Sequence, residues 1–205
     1  MASFLFILFT GFMIGLTGAM IPGPLTFFTV SGALRTNKFA GIKTITGHII
    51  IELIIILIIL FGFKRLFVDD SFLRGISLIG GAALMLMGGI FFLKSPKLSL
   101  SVIKDENKKF EKSLIAGGVI FSIASPGFFI WWATIGLSTI SKASISGLMG
   151  VTMLLMGHWL ADIFWYGLLG YGVSKGKVYL TDFAYQNLIR LSGGLLLIIG
   201  LSYVF

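Results

Sequence analysis

The chain has 205 residues, 57% of them hydrophobic and 12% charged, with a mean hydropathy of +1.02. A soluble domain carries about a quarter charged residues, so this composition excludes a water-soluble globular protein and makes the bilayer the solvent that sets element lengths. The absence of cysteine excludes disulfides and thiolate metal sites. The net charge of +8 reads as an orientation signal and not as a nucleic-acid footprint, because the basic residues lie between apolar segments.

Six apolar segments follow in order. The first runs from Ser3 to Leu34 without a charge and is interrupted by Pro22-Gly23-Pro24. It lacks a basic leading region and outruns a signal peptide, so it reads as a retained helix. The second, Thr44 to Phe63, carries His48 and Glu52, and the third covers Gly75 to Leu93. The fourth, Ser113 to Ser141, is interrupted by Ser125-Pro126-Gly127. The fifth, Ser144 to Val173, carries His158 and Asp162, and the sixth runs from Phe183 to Phe205. Each is long enough to cross a core that needs about 20 residues, and in hydrocarbon a spanning backbone satisfies itself as a helix.

The two halves match in order. Pro22-Gly23-Pro24 corresponds to Ser125-Pro126-Gly127, Gly47-His48 with Glu52 to Gly157-His158 with Asp162, and Gly81 and Gly88 to Gly193 and Gly200. Three spans per unit is an odd number, so the second copy is upside down. The expected fold is an all-α integral membrane protein of six transmembrane helices, built as two inverted three-helix repeats with helices 1 and 4 broken. The units are residues 1–93 and 113–205, joined by a polar connector at 94–112. Twelve of the sixteen Lys and Arg residues fall in loops one, three and five. Loops two and four hold Lys64, Arg65, Arg74 and Lys142. The positive-inside bias then puts the connector in the cytoplasm and both termini outside the cytoplasmic membrane.

The residues able to carry chemistry cluster at the breaks and the matched pairs. Each proline removes a donor and ends the helix before it. The half-helix restarting at Pro24, Leu25 and Thr26 offers N–H groups and partial positive charge to a carboxylate, and Ser125, Pro126 and Gly127 would do the same in the other half. His48 with Glu52, and His158 with Asp162, stand at i and i+4 on one helix face. Ionisable residues at membrane depth are costly and mark pathways or sites. The carboxylates can bind an ammonium or a coupling proton, with the histidines orienting them or relaying protons. The same four residues also make a plausible set for a divalent cation. Of Trp131, Trp132, Trp159, Trp165 and Tyr166, most are expected to fill packing space, with Trp159 the one beside the site. Gly80, Gly81, Gly88, Gly89, Gly193 and Gly194 permit close helix approach, and a homodimer would pack on such a face.

The Pro22-Gly23-Pro24 break, the Gly-His with an acidic residue in the second span, the fourth-span proline and His-x-x-x-Asp in the fifth resemble the lysine-exporter (LysE/RhtB) family across essentially the whole chain. The family's usual Asn-Pro in the fourth span is Ser125-Pro126 here. The resemblance implies a secondary transporter, not an enzyme, without cofactor, resident metal or nucleic-acid partner. It would export cationic or small neutral amino acids with the proton gradient, among membrane lipid. A divalent-cation exporter using His48, Glu52, His158 and Asp162 is the alternative. An intramembrane enzyme has no Ser-His-Asp set to support it, and a scaffold would not need buried carboxylates.

Overall fold

The computed structural model describes residues 4–61, 70–94 and 106–204. Lys64, Arg65 and residues 95–105 of the expected connector lie outside them. All regular structure among the described residues is helical.

Helix α1 (Phe4–Ala19) and helix α2 (Pro24–Arg35) flank the first proline break and are bent by 80°. Gly23 is extended at the N-cap and Pro24 takes the first helical position, where its missing N–H costs nothing. Helix α3 (Ala40–Leu60) and helix α4 (Asp70–Lys94) complete the first half. Helix α5 (Glu106–Ile123) starts inside the stretch expected to be a linker. Its Lys- and Glu-rich first turns are good helix formers, and the polar composition that marks a linker also suits a solvated helix end. A break at Ala124 and Ser125 leads to helix α6 (Pro126–Trp131), a π-helical turn (Trp132–Gly136) and helix α7 (Leu137–Ala143). The π turn was not expected from the sequence. The Trp132 ring lies over Gly136, where a Cβ would collide with it. Helix α8 (Gly147–Gly176) follows Gly147 at φ +70, and helix α9 (Asp182–Val204) ends the fold.

By length and apolarity three stretches can each cross a membrane: Ala40–Leu60, Pro126–Tyr179, which includes the turn at Gly147, and Asp182–Val204. The bent α1–α2 pair is a fourth. With lipid as apolar as the side chains, helices here associate through close packing, and glycine sets the approach. On α1 and α8, a Cβ at Gly11 would strike the Leu154 carbonyl, and one at Gly157 the Leu8 carbonyl. On α3 and α5, Gly47 meets the Ile115 carbonyl and Gly118 the Thr44 carbonyl in the same way. Each α8 residue of the first set stands 110 positions after its α3 counterpart, and each α5 residue 107 after its α1 counterpart. The α4–α9 pair is reciprocal within itself: Gly81 faces Gly200, and Gly88 faces Gly193.

Between these pairs, Phe28 of α2 stacks on Phe121 of α5 with ring centroids 4.5 Å apart and tilts against Phe110 at 5.9 Å. Arg35 caps that column, 4.3 Å from the Phe110 centroid. Beside it, Lys43 and Asn37 both donate to Glu111, and Lys177 donates to the Thr36 carbonyl at 2.7 Å. The far end of α2 is thereby tied to α3, α5 and the end of α8.

Candidate functional site

Both proline breaks and both histidine–carboxylate pairs open onto one cavity of about 330 Å³. Its wall includes Pro22, Gly23, Pro24, Leu25, His48, Glu52, Ser125, Gly127, His158 and Asp162. Two of the expected residues stand back from it. Pro126 is buried at the start of α6, and Thr26 holds its hydroxyl 3.4 Å from that of Tyr166, whose ring does line the cavity.

Glu52 is the hub. It sits about 18 Å along an α3 of about 31 Å, at a rise of about 1.5 Å per residue. Its Oε1 lies 3.2 Å from His48 Nε2 one turn away, and 3.0 Å from His158 Nε2 on α8. Trp132 Nε1 donates to the same oxygen at 3.3 Å. The sequence paired each histidine with the carboxylate of its own helix. The structure gives His158 two carboxylates, because Asp162 Oδ2 is 3.4 Å from the same Nε2. Two carboxylate oxygens, Glu52 Oε2 and Asp162 Oδ2, are buried and make no hydrogen bond. A buried acceptor without a donor is expensive, so holding these two oxygens here carries a cost.

The hydrogen-bond chemistry locates one proton. Ser122 Oγ donates to the Gly118 carbonyl at 2.6 Å, so the 2.7 Å contact with His48 Nδ1 is a donation from the ring to the hydroxyl. His48 Nε2 faces a carboxylate oxygen at hydrogen-bond distance. A proton therefore lies between His48 and Glu52, whichever of the two carries it.

Sequence reasoning missed several members of this wall. Ser122, Phe128 and Tyr203 were not singled out, and Trp131, Trp132 and Tyr166 were assigned to packing. Trp159 does not line the cavity; it packs beside Ile55, Ile56 and their neighbours, with Nε1 buried and unbonded. Tyr166 carried a usable signal, since it stands at i+4 from Asp162 and i+8 from His158 on one face of α8. Trp159, one position after His158, is turned about 100° away.

The family model described as LysE type translocator matches residues 16–205. Neither the search of curated proteins nor the search of solved structures returned a match.

Proposed function

The chain belongs to the LysE type translocator family, and on that footing we propose that it exports amino acids across the cytoplasmic membrane by exchange with protons. The family is one of membrane transporters and not of enzymes. The observation that carries the finer reading is the pair of carboxylates, Glu52 and Asp162, on the wall of a cavity that also meets the start of α2. A substrate ammonium pairs with them. The N–H of Leu25, on the cavity wall at the start of a twelve-residue helix with no side-chain cap, suits the α-carboxylate. The proton between His48 and Glu52 is the one to be exchanged, with Ser122 holding the ring.

The architecture proposed with this function is six spans in two inverted repeats. The constant offsets of the glycine contacts and the reciprocal α4–α9 pair support it. A second reading has one specific observation in its favour. Ligand atoms of His48, Glu52 and Asp162 lie within 4.8 Å of one another, a spacing that suits a divalent cation as cargo.

The test is flux in proteoliposomes with Glu52→Gln and Asp162→Asn. Asp162→Asn removes one of the two carboxylates that would hold the ammonium, so it is expected to slow proton-driven net export and substrate-for-substrate counterflow alike. Glu52→Gln disturbs three donors at once and is expected to lose both, by about a hundredfold or more. Normal amino acid flux in both variants, with Mn²⁺ or Zn²⁺ flux abolished, would replace the amino acid by the metal ion.

A further inference from the structure

Much of the cavity wall is made of rings. Phe121, Phe128, Trp131, Trp132, Tyr166 and Tyr203 all face the cavity. Trp132, Phe121 and Tyr166 are buried and held by neighbours, whereas Phe128, Trp131 and Tyr203 remain half-buried. Trp131 is given room by Gly18, where a Cβ would come within 3.0 Å of the indole nitrogen. Its ring lies 5.0 Å from that of His158, and Phe128 meets His48 edge-on at 5.1 Å. These two half-buried rings thus stand directly beside the histidines that hold Glu52.

Charge limits the occupant from the other side. Among the described residues no Lys or Arg lines the cavity, and its two histidines are both engaged with Glu52, so an acidic side chain finds no free partner. Glu52 Oε1 already meets both histidines and Trp132, so the cavity keeps little carboxylate capacity beyond one ammonium. Size limits it as well. A volume of about 330 Å³ equals that of about eleven liquid waters, and a small amino acid would leave most of it unfilled against apolar rings.

We propose that the cavity selects an amino acid with a bulky aromatic side chain, its ring packed against Trp131 and Phe128 and its ammonium on Glu52 and Asp162. This replaces the cationic or small neutral substrates that the family resemblance implies, and it rests on the amino acid reading above. Offset-stacked and edge-on ring pairs are favourable beyond their area. Trp131 and Phe128 are the specificity-determining residues.

The experiment is counterflow in proteoliposomes of the full chain, with labelled phenylalanine, tryptophan, alanine, serine, lysine and glutamate at equal concentration. Phenylalanine or tryptophan is expected to exchange at least tenfold faster than alanine or serine. Trp131→Ala is expected to bring that ratio close to one by slowing the aromatic substrates alone. Phe128→Leu, which keeps the bulk without the ring, gives a second measurement should Trp131→Ala not fold. Alanine, serine, lysine or glutamate exchanging as fast as phenylalanine overturns the inference and leaves amino acid carriage standing. An unchanged ratio in both variants overturns the assignment to Trp131 and Phe128. No exchange of any amino acid overturns both readings, with or without exchange of Mn²⁺.

Discussion

The Ser122 hydroxyl has one proton to give, and the Gly118 carbonyl takes it. Its remaining capacity is to accept from His48 Nδ1, which fixes the ring and aims Nε2 at Glu52. Ser122→Ala removes that restraint while leaving every charge in place. One hydrogen bond is worth about 0.5–1.5 kcal/mol, so counterflow is expected to slow about two- to tenfold, with Ser122→Thr restoring it. An unchanged rate would mean that the histidine needs no such holder. The sequence exposed Glu52 and Asp162 at once, since a charge at membrane depth costs about 2.5–3.5 kcal/mol and stands out. Ser122 and Trp132 gave no comparable signal. A serine in a membrane helix commonly bonds its own backbone, and an indole serves packing, interface and cavity equally well.

Glycine decides which elements can touch. Gly47→Ala and Gly157→Ala each drive a methyl group into a backbone carbonyl of the facing helix. Overpacking of this kind costs about 1–3 kcal/mol or more, so both variants are expected to lower the melting temperature in detergent. Gly89→Ala and Gly172→Ala meet nothing within 4 Å. They gain helix propensity of about 0.8–1.0 kcal/mol, so neutral or raised melting temperatures are expected. The same order of loss at all four positions would refute the close-packing account. At the far end of α2, Lys43 first and Asn37 second hold the Glu111 carboxyl below the usual carboxylate value. A depressed carboxyl contributes stability above its unfolded value and loses it as pH falls through the folded one. Glu111→Gln is therefore expected to cost under about 1 kcal/mol near neutral pH, and the difference from wild type should vanish in acid. A difference that persists at low pH would assign the effect to packing.

At the scale of the whole molecule, the basic loops predict which end faces the cytoplasm. The chain has no cysteine, so a single Lys112→Cys, at an exposed position of α5, gives an unambiguous label site. An impermeant maleimide is expected to react with it in inverted vesicles and not in intact cells. Labelling from outside intact cells would reverse the topology. The cavity also meets Ile199, Ser202 and Tyr203 near the end of α9, and Phe121, the end of the Phe121–Phe28–Phe110 column, lines it as well.

The apolar helices, the two proline breaks and the His–carboxylate spacing were determined by the sequence itself. Each follows from a local rule: about 20 apolar residues to span, no donor at proline, and 3.6 residues per turn. The start of α5 inside the polar connector and the π turn at Trp132–Gly136 did not follow from such rules. Local composition tells a solvated helix end poorly from a linker, and a π turn depends on what the ring packs upon. The joining of the two pairs at Glu52 was decided by tertiary structure alone. His158 and Glu52 are 106 residues apart, and their 3.0 Å contact joins α3 to α8, which seat closely where Gly41 faces the Tyr166 carbonyl and Gly170 faces Gly41. Two separate i, i+4 pairs could each have faced a different cavity. Close packing of glycine backbones brought them to one, and with it the ring wall that no periodicity announces.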